Sequence, residues 1–502
     1  MKNLIIITII IFVFPSLSFA QLKHDYHWFF GNESGNTFQQ VEGIDVNFNN
    51  NPISADFLEI PFEIYFSNAT MSDEEGNLLF YTNGCEIANK NHEIMMNGDS
   101  LNPGEIHDFI CWRGYAGTHQ SCLAIPSPQD NEEYLLFHKA LIYDDNFNVF
   151  TDKLYYSLID MDLDGGLGGV VEKNIIMVED SLRSGEMTAI KHSNGEDWWL
   201  INGSYLSNEY FTFLITPDTI EGPYYQNIGL PHTYQGDGGG QVIFSPDGTK
   251  YVRFNNIDQI YLYNFDRTTG LFSNFEFIEV QDTIIIAGCA ISPNSQFLYA
   301  STRNELYQFD LEAADIEESK ILIDVYDGFA DPLPTSFQRM ELGPDCRIYM
   351  NSTNSVDELH VIHNPDEQGL ACNFEQRAFQ LPSNHQFSMP HFPYYRMDTD
   401  FPICDSNLVV NSTEIFRPLK KKITLYPNPT YGELNISVPE GIKGNANLQI
   451  FSSLGQLVFD NQFSIEAAKE TLDLTFLPVG IYLVFIKTGE GEVFSEKIQI
   501  VR

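Results

Sequence analysis

Asp160, Asp162 and Asp164, followed by Gly165-Gly166, set oxygen ligands at positions 1, 3 and 5 of a loop with glycine at position 6. That is the opening of a calcium loop. Position 12 is Val171, where such a loop needs Glu, and Glu172 comes one residue late. The same residues also read as an Asp/Gly hairpin turn. Trp112, Tyr115, Trp198, Trp199 and Tyr205 could stack on a sugar ring or a protein loop, or could pack between strands. His107-Asp108 and His119 flank Trp112-Arg113, where acid–base or metal chemistry would be conceivable, but without ligand spacing. Gly236-Asp237-Gly238-Gly239-Gly240 runs into Gln241-Val242-Ile243-Phe244, which reads as a strand. A phosphate loop would need a helix there, so the glycines read as a flexible approach to an inner strand. No Gly-x-Ser-x-Gly elbow and no Cys-x-x-Cys occurs. No catalytic residue is named, and no cofactor is expected beyond calcium at the Asp160–Asp164 loop.

These residues must be positioned by strands. Aromatics make up 14% of the chain, with 39 Phe and 25 Tyr, which favours β-structure. A polar turn followed by an apolar, mostly aromatic strand recurs at Ser72, Ser127, Ser193, Ser245, Ser292 and Gly343, at spacings of 55, 66, 52, 47 and 51. Ser245-Pro246-Asp247-Gly248 before Tyr251-Val252-Arg253-Phe254 is the clearest case. That period suits four strands per unit, units that bury their faces only by stacking. The reading is a β-propeller over 21–396, with seven blades favoured over six. The seventh blade would be shared between residues 27–66 and 385–396, which closes the ring and removes free edges. Residues 397–422, with Pro402, Pro418 and Lys420–Lys422, read as a linker.

The charge is uneven. Of the formal net −42, residues 423–502 carry nine acids and five bases and residues 1–20 one base. That leaves 60 acids and 21 bases, a net of −39, on 21–422. So acidic a region argues against nucleic acid and anionic lipid as partners. The seven cysteines all lie after residue 20, an odd number. Cys111–Cys122 and Cys346–Cys372 are near enough to pair, as an alternative to free thiols.

The ends read as addresses. Lys2, the apolar run Leu4–Phe14 and Ser18-Phe19-Ala20 form a signal peptide over 1–20, cut between Ala20 and Gln21. No later run reaches about 20 apolar residues, so no transmembrane segment is expected in the mature chain. Residues 423–502 alternate short strands with Gly and Pro turns, as in a small β-sandwich. Tyr426-Pro427-Asn428-Pro429, the hairpin around Gly455 and the Gly480-Ile481-Tyr482 strand are its marks. With the basic terminal Arg502, this segment resembles the type A C-terminal sorting domain of the type IX secretion system of Bacteroidota. The resemblance implies export to the cell surface or beyond, with the secretion machinery as partner. The repeat units resemble WD-type and lactonase-type blades and the propeller modules of Bacteroidota surface proteins. They imply a fold and a setting but no catalytic motif. The expected function is a secreted or surface-displayed binding module with a glycan or surface-protein ligand. The alternative is a lactonase-like or glycan-cleaving hydrolase with a metal in the axial channel.

Overall fold

The computed structural model describes residues 22–501 except 32–40, 112–113, 115, 144–148, 234–239, 256, 281–286, 400–401, 407, 409–423, 438–443, 453–456, 466–468 and 489–492. The chain divides into two compact units, 1–410 and 411–502.

Among the described residues the first unit holds seven antiparallel sheets in chain order, spanning 27–60, 69–89, 122–182, 188–227, 241–278, 288–325 and 337–385. Blades one and two have three strands each. Blades four to seven have four strands in simple meander order, and blade three adds the short strand Ile142–Tyr143. First strands lie side by side: His27–Gly31 beside Ala69–Ser72, and that beside Cys122–Pro126. Likewise Thr188–Lys191, Gln241–Phe244, Gly288–Ile291 and Phe337–Leu342 follow one another around the axis. The arrangement is a seven-bladed β-propeller.

The local sequence explains the blades. At each repeat a side-chain oxygen caps the turn between the first two strands. Lys250 N donates to Ser245 Oγ at 2.9 Å and Thr249 N to Asp247 Oδ1 at 3.0 Å, while Gly248 takes φ +73°. Phe297 N donates to Ser292 Oγ at 2.8 Å, and Asn77 N to Asp73 Oδ1 at 2.8 Å. First strands such as Gln241–Phe244 and Gly288–Ile291 are buried throughout, so they show no alternation of polar and apolar residues. The outer strand Ile220–Asn227 is mostly exposed. Each fully buried Phe or Leu between blades contributes roughly 1.5–3 kcal/mol. Gly288 is required by close approach: a Cβ there would sit 2.1 Å from the Gln338 carbonyl oxygen of the next blade.

Ring closure differs in detail from the shared blade expected. Residues 27–60 form a sheet of their own, and the chain after blade seven joins it through one backbone bond, Gln386 N to Gly31 O at 3.1 Å. Phe392 stacks on Trp28 at 6.1 Å, and Phe30 meets His385 at 5.5 Å.

The disulfides differ too. Cys85 pairs with Cys111, and Cys346 with Cys404, while Cys122, Cys289 and Cys372 are buried free thiols. Proximity in sequence misled here, because none of the four bridged cysteines lies on a strand: Cys111 and Cys404 sit in long connections that fold back onto the turns holding Cys85 and Cys346. Cys404 lies within the segment read as linker, so the chain remains tied to the first unit well past 396.

In the second unit a three-stranded sheet (Thr424–Tyr426, Glu433–Ser437, Lys469–Asp473) packs with a four-stranded one (Leu457–Ile465, Gly444–Ser452, Gly480–Thr488, Val493–Ile500). Leu434, Ile436, Leu448, Ile450, Val484 and Ile498 fill the core between them.

Candidate functional site

In this ring the axis is occupied by the protein's own chain. Residues 386–399 and 402–405 form a strap that touches blade after blade. Phe387 lies against Phe66 and Tyr65, each at 5.3 Å. Asn351 donates to the Ser388 carbonyl at 3.3 Å. Tyr395 OH donates to the Ala124 carbonyl at 2.9 Å. Arg396 grips Asp25 with two bonds of 2.7 Å. Arg267 pairs with Asp398 at 2.6 Å. Asp405 N donates to the Pro344 carbonyl at 2.7 Å, beside the Cys346–Cys404 bridge.

Two glutamines stitch the inner strands together. Gln120, before blade three, accepts from Val242 N at 2.8 Å and donates to Val242 O at 2.7 Å, in blade five. Gln241 accepts from Cys289 N at 3.1 Å and Met340 N at 3.2 Å, and donates to Met340 O. Each amide is bonded through both its oxygen and its nitrogen, as buried polar groups usually are.

A small pocket on the axis is lined by Thr188, Ile243, Ala290, Met340, Glu341 and His391, among others. Here Thr188 Oγ1 lies 2.9 Å from His391 Nε2, and His391 Nδ1 lies 3.4 Å from Glu341 Oε2. Glu341 Oε1 also accepts from Phe392 N at 3.3 Å. Hydroxyl, imidazole and carboxylate in this order can relay a proton. Burial pushes the Glu341 carboxyl above its ordinary range, with His391 and the Phe392 amide pulling it back. The same contacts tie the strap to blades four and seven.

Nearby, four buried charges alternate. Arg253 donates to Glu186 at 2.7 Å and to Asp258 at 3.2 Å; Arg183 donates to Asp258 at 3.3 Å. Burial opposes charge on Asp258, but Arg253, Thr233 and Arg183 outweigh it and hold the carboxyl at about 2. Lys139 Nζ is buried against the carbonyls of Arg183 and Gly185, at 2.8 and 2.7 Å.

The residues singled out from sequence do not converge. Trp112 and Tyr115 lie outside the described residues, as do Gly236–Gly239. Trp198 is buried between Lys191, 5.4 Å from its ring, and Tyr395 at 6.0 Å. Trp199 is buried too and donates to the Arg267 carbonyl at 2.8 Å. Tyr205 stays half-buried, stacked on Phe150 at 5.5 Å. Asp162 N donates to Asp160 Oδ1 at 2.9 Å and Asp164 takes φ +49°, which makes the segment a tight turn between strands. No group of three His, Cys, Asp or Glu side chains able to hold a metal occurs among the described residues. Tyr426 is half-exposed between Leu425 and Pro427-Asn428-Pro429; Asn428 Oδ1 accepts from Gln499 N at 2.9 Å. Tyr482, beside Gly480, is buried and donates to the Pro478 carbonyl at 2.9 Å. Gly455, Ala20 and Gln21 lie outside the described residues. Thr188, Glu341, Gln120 and Gln241 were not visible as a set, because only the ring brings them together.

The fold therefore defines a propeller protein with an appended β-sandwich. Residues 424–501 match the family described as secretion system C-terminal sorting domain, and this part of the chain is such a domain. The protein is a type IX-sorted β-propeller, exported to the cell surface or the extracellular space. No helix among the described residues is long and apolar enough to cross a membrane. No curated protein matches the sequence. Solved structures similar to the chain include a protein from Lactobacillus plantarum at 15% identity, covering 72% of this chain and 98% of that one, with a TM-score of 0.42. Another is the β-propeller domain of Cps50 (Swd1) from Myceliophteria thermophila, at 11% identity, 64% and 96% coverage and a TM-score of 0.35. A third is a gluconolactonase from Xanthomonas campestris, at 8% identity, 66% and 94% coverage and a TM-score of 0.28. None is close enough to carry an activity across.

Proposed function

We propose that the propeller is a binding module presented outside the cell, with a glycan or a surface protein as ligand. One observation supports this above others: the connections that lead into first strands or join second to third strands carry a series of exposed apolar side chains. The turns between first and second strands lie at one end, and their exposed residues are acidic or polar, such as Glu75, Asp130, Glu196 and Asp247, although the third-to-fourth connections there also expose Leu271 and Leu370. The loops at the other end expose large apolar side chains. Phe109 is 63% exposed, Leu230 47%, Tyr143 45%, Leu333 39%, Ile257 38% and Leu206 37%. Each sits in a connection that leads into a first strand or joins a second to a third, Phe109 on the short helix Glu105–Ile110 and Tyr143 on the short strand Ile142–Tyr143, and the meander brings such connections to one end. Tyr205 is at this end as well. Apolar loops on a rigid, acidic scaffold suit recognition. The strap supports the reading, since it fills the axis where an axial hydrolase would hold its substrate. Substituting Phe109 and Leu230 by Ser in the full chain should abolish ligand capture on a glycan array or on isolated cell surfaces. Unchanged capture would remove this end from consideration.

A second reading, a propeller hydrolase, is favoured by one observation, the Thr188–His391–Glu341 order. It requires Thr188 to be the attacking hydroxyl. Thr188→Val should then abolish ester or lactone hydrolysis by the full chain, and no hydrolysis by the unaltered chain would dispose of the idea.

A further inference from the structure

The buried charges between blades four and five are bonded to the loops that carry three of the exposed apolar residues, Leu206, Leu230 and Ile257. Asp258 sits in the turn between the second and third strands of blade five, one residue after Ile257, and its side chain is fully buried. Its two oxygens divide the work. Oδ2 accepts from Arg183 Nη2 at 3.3 Å, Arg253 Nη2 at 3.2 Å and Asn255 Nδ2 at 3.3 Å. Oδ1 accepts from Thr233 N at 2.9 Å and Thr233 Oγ1 at 2.6 Å, in the connection that leads into blade five. Thr233 itself is exposed.

The neighbouring loops are fastened to the same network. Arg183 Nε donates to His232 Nδ1 at 2.9 Å, so the guanidinium that holds Asp258 also holds the residue before Thr233. His232 N donates to the Ser207 carbonyl at 3.2 Å, and Ile228 N to the Asn208 carbonyl at 3.0 Å. On one side of Leu230, Asn208 Nδ2 donates to the Gly229 carbonyl at 3.0 Å; on the other, Tyr261 OH donates to the Pro231 carbonyl at 3.4 Å. Asn255 Oδ1 accepts from Ile257 N at 2.9 Å and Asp258 N at 2.7 Å. Leu230 thus stands between two pinned residues, Leu206 precedes a third, and Ile257 precedes Asp258.

A buried ion network adds little stability over apolar side chains of the same volume; what it supplies is one defined geometry. We infer that Asp258 is a positioning residue for recognition: acting through Thr233 and Arg183, it holds the loops of Leu206, Leu230 and Ile257 as one preformed surface. The inference rests on the proposal that the apolar loop end binds the ligand. A loop ordered in advance need not be ordered on binding, so Asp258 and Thr233 contribute affinity without touching the partner.

The test uses the full chain. Thr233→Val removes the hydroxyl bond and leaves the buried charges in place, whereas Thr233→Ser keeps the bond. Thr233→Val should speed hydrogen–deuterium exchange at the amides of Ile228 and His232 by about tenfold or more. Exchange in the inner strand Gln241–Phe244 should not change. Capture on isolated cell surfaces should weaken by about tenfold. Thr233→Ser should restore both readings. Unchanged loop exchange in Thr233→Val overturns the inference. So does faster loop exchange with undiminished capture, where Phe109→Ser/Leu230→Ser abolishes capture. Capture undiminished in both the Thr233→Val and the Phe109→Ser/Leu230→Ser chains overturns the binding reading and this inference with it. Asp258→Asn should match or exceed Thr233→Val; if it does not fold, the two Thr233 variants decide.

Discussion

Arg396 and Asp25 stand 371 residues apart and meet in a two-pronged ion pair, Nη1 to Oδ1 and Nη2 to Oδ2, both at 2.7 Å. Arg396 also donates to the Leu22 carbonyl at 3.2 Å. The first described residues and the strap are thereby fastened to each other. Both partners are about nine-tenths buried, so removing one leaves a charge without its partner in the interior. Arg396→Ala should cost about 3–5 kcal/mol, read as a lowered urea midpoint. A change below about 1 kcal/mol would mean that closure does not depend on this pair.

The strap's far anchor gives a second expectation. Cys346 and Cys404 enclose a sequence separation of 58, against 26 for Cys85 and Cys111. The longer loop restricts the unfolded chain more, by about 4.2 kcal/mol against about 3.5. Cys404→Ser should therefore lower the melting temperature more than Cys85→Ser. Equal effects would show that the strap holds without its bridge.

Buried histidines set the response to acid, and burial holds His119, His232 and His385 below the ordinary imidazole value as well as the three that follow. Burial pulls His24 down to about 4, and His138 and His360 to about 3, from 6.5. Each stays neutral in the fold but takes a proton when unfolded. Their contribution is complete above pH 6.5 and is lost as pH falls toward the folded values. Each adds a slope of at most about 1.4 kcal/mol per pH unit. Asp345, pushed up to about 6 by burial against the Tyr349 and Arg347 contacts, acts in the opposite direction below pH 6 and offsets one of them. Denaturation midpoints should thus fall steadily from pH 6.5 to 4. A flat profile would contradict buried neutral histidines.

Much of the fold was legible because the repeat is a local device. Ser245, Asp247 and Gly248 spell out a turn whose hydrogen bonds lie within six residues, and the same logic marks Asp73 and Ser292. The C-terminal domain was legible for a similar reason, since Gly480, Tyr482 and the Tyr426-Pro427-Asn428-Pro429 run are contiguous. The axis was not legible. Thr188 and His391 are 203 residues apart, and Gln120 and Val242 122 apart. Nothing in their neighbours marks them, and one Glu among 60 central acids has no signature before the ring closes. Trp198 and Trp199 resembled ligand contacts because an aromatic pair on a buried strand and one on a surface have the same sequence.

The central claim is that recognition occurs at the apolar loop end while the axis is closed by the strap. The most direct measurement compares the unaltered full chain, Phe109→Ser/Leu230→Ser and Thr188→Val on one glycan and surface-protein array, with ester and lactone hydrolysis followed in parallel. The account predicts binding by the unaltered chain, loss in the loop variant, retention in Thr188→Val and no turnover. Turnover that Thr188→Val abolishes, with no ligand bound, would contradict it.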